Sequence, residues 1–250
     1  MSSYFQATAT LFGAALLVTT GCSSYPRQVV DSRSDVAYEA QSTSSAKTLG
    51  TQWGEDIRSS VQGVTATRMT NQPYDTVTIY YQGERVPNHA YTQPYIKVFP
   101  LSVAVINEYG QPMPIYRNSQ GQYKLPATEG MRYTLRILNS DRNKTYEVVT
   151  TVDGLDVLNG QAGSYQNNGY LIRPGKKLTI EGFRKNNNQV AAFRFAAPES
   201  SYVNQNVQGD ERNIGVIGIA FFEVRETLPL CDANPFPADT QYAPAPCRKY

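Results

Sequence analysis

The composition of this 250-residue chain argues against nucleic-acid binding, because 23 Lys and Arg nearly balance 21 Asp and Glu and leave no basic footprint or polybasic membrane patch. A single His makes a His-rich metal site or a Ser-His-Asp triad hard to build. The 18 Tyr are typical of β structure, in which the ring packs on a pleated surface and the hydroxyl reaches water; a sugar- or polymer-binding face is the functional alternative.

Residues 1–21 have the layout of an export signal. Residues 11–18 form an apolar run as long as the hydrophobic region of a signal peptide and too short to span a bilayer as a helix. The residues that follow, Thr19-Thr20-Gly21-Cys22, resemble the lipobox of bacterial lipoproteins. This resemblance implies that the signal is removed before Cys22, that the Cys22 thiol carries diacylglycerol and that the new amino terminus is acylated. The alternative is a secretory signal cut near Gly21, with Cys22 an ordinary thiol.

The residues after Cys22 indicate where the protein is anchored. Ser23 rather than Asp follows the Cys, and by resemblance to sorted lipoproteins of Gram-negative bacteria this predicts the outer membrane, with the folded part in the periplasm. Two or more acyl chains anchor a protein stably, whereas one does not. Residues 22–50 are polar and rich in Ser, Thr and Ala, so they bury too little apolar surface to offset chain entropy. They are predicted to form a disordered, flexible tether.

Residues 51–225 are predicted to form one all-β domain, an antiparallel β-sandwich of the jelly-roll type. Short runs of β-branched and aromatic residues alternate with turn signals such as Asp153-Gly154. In residues 131–138 the apolar side chains share one face and the polar ones the other, as in a half-buried antiparallel strand. We expect this strand to form a hairpin with residues 146–152.

Two long polar loops, 82–94 and 197–212, and the only Trp are the candidates for ligand contact. Loops on rigid sheets commonly carry binding residues, whereas a lone loop His is more often solvated than a ligand. The Trp is either a core anchor or a ligand platform. The candidate ligand-binding residues in or beside these segments are Trp53, His89, Tyr91, Tyr95 and Tyr202.

Four acidic residues near the middle of the chain do not predict a metal or catalytic site. Asp141, Glu147, Asp153 and Asp156 lack the alternating oxygen ligands and closing bidentate carboxylate of a Ca²⁺ loop. A glycosidase needs two carboxylates that flank one cleft, and the sequence neither places nor excludes such a pair. We therefore predict no metal, cofactor or catalytic residue.

The C-terminal half contains four motifs in order, VDGLDVLNG, GYLIRPGKKLTIEGFR, VAAFRF and RNIGVIGIAFFE. Over about residues 132–225 this order resembles a domain found in uncharacterised envelope lipoproteins of proteobacteria. The resemblance adds to the sandwich prediction and names no reaction or ligand. Arg184 and Arg194 lie inside these motifs, where they form either structural ion pairs between strands or ligand contacts.

Residues 226–250 are rich in Pro and contain Cys231 and Cys247. With Cys22 assigned to lipid, these two form an even pair in an oxidising compartment, so we expect a disulfide that closes the tail. Two free thiols are the alternative.

Together these features predict a non-enzymatic, lipid-anchored envelope protein, a structural or adaptor component that binds another envelope component. The alternative is a carbohydrate- or peptidoglycan-binding module that uses Tyr-rich faces and loops; clustering of exposed Tyr with Trp53 on one face would favour it. A third hypothesis, a glycan hydrolase, needs two carboxylates facing each other in a pocket. The expected partners are the membrane, through the lipid anchor, and another envelope protein or peptidoglycan, with no nucleic acid.

Overall fold

The computed structural model describes residues 46–227. The predicted signal peptide, Cys22 and the pair Cys231 and Cys247 lie outside the described residues. The domain begins slightly before residue 51, since Lys47 already forms a β-bridge and Leu49 is buried in the core. The last few residues of the predicted tether therefore belong to the folded domain.

The described residues form two β-sheets, which confirms the predicted all-β sandwich. The smaller sheet contains seven strands, numbered along the chain: β1 (Gly50–Arg58), β5 (Ile96–Val98), β6 (Leu101–Asn107), β9 (Arg132–Asn139), β13 (Lys177–Ile180), β14 (Gly182–Asn186) and β15 (Gln189–Ala196). The larger sheet contains nine: β2 (Ala66–Arg68), β3 (Asp75–Gln82), β4 (Thr92–Gln93), β7 (Ile115–Arg117), β8 (Tyr123–Pro126), β10 (Thr145–Val152), β11 (Leu155–Asp156), β12 (Tyr170–Ile172) and β16 (Val216–Glu226). Three short 3-10 helices occupy Pro198–Ser200, Tyr202–Gln205 and Glu211–Asn213.

The chain passes repeatedly from one sheet to the other, as in jelly-roll folds. The main path of the smaller sheet is β1-β15-β9-β6-β5, and that of the larger sheet is β11-β10-β16-β3-β8-β7-β4. Neighbouring strands are antiparallel except β3 and β8, which are parallel. The first strand thus pairs with β15, and the last strand lies between β10 and β3.

The predicted hairpin between residues 131–138 and 146–152 is wrong. β9 pairs with β6, β13 and β15, whereas β10 pairs with β11, β12 and β16. The short connection crosses from one sheet to the other, and the buried Asn139 side chain stabilises it by donating to the Lys144 carbonyl at 2.8 Å. Alternation had indicated which face of each strand is buried, but it does not determine the partner strand.

The hydrophobic core lies between the sheets and is filled by their inward-facing side chains. Leu135 of β9 and Phe193 of β15 are fully buried on one side, and Val148 of β10 and Phe221 of β16 are fully buried on the other. Each such side chain stabilises the fold by roughly 1.5–3 kcal/mol relative to its exposed state. This core makes the sandwich a rigid support for its loops.

A buried polar cluster, here the Asp153 network, joins the two sheets at the end of β10. Asp153 accepts hydrogen bonds from the backbone N–H of Thr51 at 2.7 Å and of Gly215 at 2.8 Å. Tyr81 donates its hydroxyl to Asp153 at 2.5 Å and lies 2.8 Å from the Thr51 hydroxyl. The Tyr133 hydroxyl lies 2.7 Å from the same Thr51 oxygen. Because Thr51 and Tyr133 belong to the smaller sheet and Tyr81 to the larger one, the network stabilises their packing.

Burial dominates the electrostatics of the Asp153 network. It raises the pKa of Asp153 to about 6, against the hydrogen bonds from Tyr81, Thr51 and Gly215, which lower it. Burial also raises the pKa of Tyr81 well above its usual value. Asp153 adopts a left-handed backbone conformation with φ of 52°, which Asp tolerates better than most residues.

No helix within residues 46–227 is long and apolar enough to cross a membrane.

Candidate functional site

Three aromatic rings meet at the surface of the domain. Trp53 lies parallel to Phe183, with ring centroids 6.1 Å apart. Tyr202 packs on both, at 4.8 Å from Trp53 and 4.7 Å from Phe183. Phe183 is buried, whereas Trp53 keeps 38% of its surface exposed. Trp53 therefore acts both as a core contact and as an accessible ring.

These rings belong to a surface cavity of about 310 Å³, here the aromatic pocket. This volume lies at the lower end of the range for small-molecule sites. The residues that line it are Trp53, Asn159, Gly160, Phe183, Arg184, Lys185 and Tyr202.

A β-bulge positions Trp53 at the rim of the pocket. Trp53 pairs with Phe193 of β15, and the register then shifts before the next paired residue, Asp56. Bulges bend a strand and re-aim its side chains. Gly54 allows this bulge to pack closely, because a Cβ there would lie 2.6 Å from the Ala192 carbonyl oxygen.

The 3-10 helices before β16 position Tyr202. Ser201 precedes it, is fully buried and donates its hydroxyl to the Pro198 carbonyl at 2.6 Å. The segment packs against β1, where a Cβ on Gly50 would lie 2.7 Å from the Ser201 Cβ. This close contact places the Tyr202 ring beside Trp53.

A hydrogen-bonded loop that contains Asn159 and Gly160 forms another part of the pocket lining. The Asp156 carboxylate accepts from the backbone N–H of Leu158 at 2.8 Å and of Asn159 at 3.2 Å. Asn206 donates its side-chain amide to the Gly160 carbonyl at 2.9 Å. Burial raises the pKa of Asp156. The loop is therefore fixed by the protein itself, and the pocket is preformed.

Two cations border the pocket in different ways. Arg184 donates from Nε to the Tyr170 hydroxyl at 3.1 Å and also binds the Ser59 carbonyl, so its guanidinium is engaged in holding the fold. Lys185 Nζ lies 2.7 Å from Asp56 in a partly exposed pair. Such surface pairs contribute about 0–1 kcal/mol, so the Lys185 ammonium can exchange Asp56 for a ligand.

The groups available to a ligand are a flat ring, two neutral hydrogen-bonding groups and an ammonium. Within the described part of the chain, neither the Tyr202 hydroxyl nor the Asn159 side-chain NH₂ hydrogen-bonds to protein. Trp53 supplies the ring and Lys185 the charge. None of the lining residues carries a carboxylate, so the pocket lacks the carboxylate pair that glycoside hydrolysis needs.

The structure brings together three of the predicted ligand-binding residues, Trp53, Arg184 and Tyr202. Arg194 lies outside the pocket and forms an ion pair with Glu55 of β1 at 2.9 Å. A backbone hydrogen bond of Glu55 itself and the bond from Arg194 lower the pKa of Glu55. Arg194 therefore forms the inter-strand ion pair that the sequence offered as one alternative.

The other predicted residues lie on a different surface. His89 is exposed in the loop between β3 and β4. Tyr91 is 84% exposed, Tyr95 is 44% exposed, and Phe99 at the β5–β6 turn is 86% exposed. We call Tyr91, Tyr95 and Phe99 the aromatic edge, because they flank the short edge strands β4 and β5. None of these residues lines the aromatic pocket.

Sequence reasoning missed four residues of the pocket. These are Asn159, Gly160, Phe183 and Lys185. The Arg184-Lys185 pair beside an aromatic residue was the one available signal. Within residues 46–227, no group of three His, Cys, Asp or Glu side chains is placed to hold a metal ion.

No protein-family model, curated protein or solved structure matches this chain. The β-sandwich alone does not indicate a function, because sandwiches host many functions.

Proposed function

We propose that this protein is a lipid-anchored envelope protein whose β-sandwich binds saccharide units of an envelope glycan in the aromatic pocket, with peptidoglycan as the first candidate. The observation that carries this proposal is the contact between the exposed Trp53 ring and Tyr202 beside unpaired hydrogen-bonding groups. Tyr202 is half-buried, so the clustering of Tyr with Trp53 that favours a glycan module consists here of one partly exposed Tyr ring.

The groups in the pocket match the chemistry of a sugar ring. One face of such a ring is made of C–H bonds, which pack on the π face of Trp53. Its rim carries hydroxyls, within reach of the Tyr202 hydroxyl and the Asn159 amide. Lys185 favours a sugar that bears a carboxylate, as the muramyl and peptide parts of peptidoglycan do.

Sacculus binding tests this proposal. The full chain with Cys22→Ala, exported but not lipidated, is sedimented with purified sacculi. We expect Trp53→Ala to weaken binding about tenfold, which corresponds to about 1.4 kcal/mol and to the upper range for an aromatic contact. Tyr91→Ala is the matched control, because it removes an exposed aromatic ring outside the pocket. Equal binding by the Trp53 variant and the control would refute the proposal.

Two milder variants separate binding from folding. Tyr202→Phe removes one hydroxyl and leaves the packed ring, and Lys185→Gln removes the charge from a partly exposed side chain. Both are expected to fold like the wild type and to bind sacculi less tightly. A Lys185→Gln variant with unchanged binding would exclude the acidic substituent as a contact.

The membrane anchor is part of the proposal and is supported by the lipobox-like residues before Cys22. We expect Cys22→Ala to abolish acyl labelling in cells, and persistent labelling would contradict the anchor. We also propose the disulfide between Cys231 and Cys247, which would contribute about 3 kcal/mol through loop closure. Thiol labelling of both Cys without reductant would rule it out.

A protein adaptor is the second candidate, and the aromatic edge supports it. Aromatic residues are enriched at protein interfaces, and Tyr91 and Phe99 are more than four-fifths exposed, at 84% and 86%. In-cell crosslinking of the lipidated protein distinguishes the candidates. A defined protein partner that Phe99→Ala removes would favour the adaptor, whereas glycan fragments without protein would favour the glycan module.

A further inference from the structure

A second cavity lies on the outer face of the larger sheet, with a volume of about 540 Å³. Its floor crosses three adjacent strands, β3, β16 and β10. Gly218 of β16 pairs with Thr78 on one side and Thr151 on the other, and Ala220 pairs with Thr76. We call this cavity the threonine groove.

Glycines keep the groove open. A Cβ on Gly218 would lie 2.6 Å from the Thr151 hydroxyl. A Cβ on Gly163, in the loop above, would lie 2.5 Å from the Thr151 Cγ2. Larger residues at these two positions would therefore displace Thr151 and fill the space between the loop and the sheet.

The wall of the groove is Tyr165, which is 51% exposed. Arg68 of β2 holds this wall by donating to the carbonyls of Tyr165 and Asn167. The same guanidinium binds Glu147 of β10 at 2.6 Å, in a pair that is mostly buried. Because the wall is fixed by the protein itself, little ordering entropy is lost when a ligand binds.

The lining of the groove restricts the chemistry of its ligand. None of the residues that line it is charged, so an ionic ligand would lose hydration without gaining a counter-charge. Thr76, Thr78 and Thr151 line the groove, and a purely apolar ligand would leave their hydroxyls unpaired. Tyr165 adds a ring and Asn213 an amide. An uncharged, polyhydroxylated ligand satisfies all of these groups.

We infer that the threonine groove is a second binding site, for an uncharged oligosaccharide. It differs from the aromatic pocket in charge and in every lining residue. It therefore does not depend on the pocket's role, although one loop supplies Gly160 to the pocket and Tyr165 to the groove. The two sites together would give the domain two contacts along a glycan.

Isothermal titration of the full Cys22→Ala chain with chitohexaose and maltohexaose tests the inference. Thr78→Tyr fills the groove from an exposed strand position, where an aromatic residue is well tolerated. Thr179→Tyr is the matched control, because it makes the same change at an outward-facing position of β13 in the smaller sheet. We expect the Thr78 variant to bind a hexaose at least tenfold more weakly and the control to bind like the wild type.

Two results would overturn the inference: binding by the Thr78 variant that equals that of the control, or no binding of either hexaose by the wild type at millimolar concentration. Tyr165→Ala provides a second readout, since it removes the wall and leaves the Thr residues of the floor unchanged. The inference and the proposed function fail separately. If Trp53→Ala loses all hexaose binding and Thr78→Tyr loses none, the aromatic pocket is a binding site and the threonine groove is not. If Thr78→Tyr loses all hexaose binding and Trp53→Ala loses none, the threonine groove is the binding site and the pocket is not.

Discussion

Replacing Asp153 by Asn should destabilise the protein more at pH 4.5 than at pH 7.5. The pKa of Asp153 is about 6 in the fold and 3.8 for an ordinary Asp, because burial opposes ionisation. A raised pKa means that the protonated carboxyl stabilises the fold fully below about pH 3.8, and that this contribution is lost as the pH rises through about 6. Asn does not titrate, and it also tolerates the left-handed conformation at this position.

The magnitude follows from these two pKa values. Linkage gives about 2 kcal/mol of stabilisation at pH 4.5 and almost none at pH 7.5. The loss of unfolding free energy caused by Asp153→Asn should therefore be about 2 kcal/mol larger at the lower pH. This difference adds to a loss common to both pH values, since the Asn NH₂ cannot accept from the Thr51 N–H that Asp153 now binds at 2.7 Å.

Urea unfolding at the two pH values measures this difference, with circular dichroism as the signal. Asp141→Asn is the control, because hydrogen bonds from the backbone N–H of Asn143 and Lys144 lower the pKa of this exposed carboxyl. The loss of unfolding free energy caused by Asp141→Asn should therefore not be larger at pH 4.5 than at pH 7.5. An Asp153→Asn penalty that is equal at both pH values, or larger at pH 7.5, would refute the reasoning. It would mean that the three donors outweigh burial.

Two further predictions concern buried polar contacts. Tyr81→Phe should lower the free energy of unfolding by about 2 kcal/mol, because it removes a hydrogen-bond donor to the Asp153 carboxylate. Tyr133→Phe should lower it by about 1 kcal/mol, because only one neutral hydrogen bond is lost. Chemical unfolding of both variants tests this ranking, and equal losses would contradict it. Arg68→Ala should lower the free energy of unfolding by about 3 kcal/mol, because it leaves the mostly buried Glu147 without its ion-pair partner. A melting temperature unchanged from the wild type would show that the pair does not contribute to stability.

The strands were predictable because their periodicity is local. Residues 131–138 alternate between apolar and polar side chains, and residues 146–152 and 190–195 are rich in β-branched, aromatic and other apolar residues. These segments form β9, β10 and β15. The pairing was not predictable, because two strands that face each other across a core show the same alternation as two strands joined in a hairpin. The buried amide of Asn139, which stabilises the crossing, looks in the sequence like any polar turn residue.

The candidate site was predictable by residue type only. Trp53, Arg184 and Tyr202 were each plausible contacts, but their meeting depends on the pairing of β1 with β15 across most of the chain. The Asp153 network was missed for a similar reason. Asp153-Gly154 forms the predicted turn, yet nothing local shows that its carboxylate points inward to the hydroxyl of Tyr81.

The strand order determines when each sheet can form during synthesis. A chain that emerges amino terminus first, from a ribosome or a translocation pore, delivers β1 long before its partner β15 and delivers the central strand β16 last. Such long-range pairing is slow, so neither sheet can close until almost the whole domain has emerged. The chain therefore remains unfolded, and able to pass through a narrow pore, for most of its synthesis or transit. A truncation before Val216 would leave one side of β3 and one side of β10 unpaired, and exposed strand edges of this kind promote aggregation.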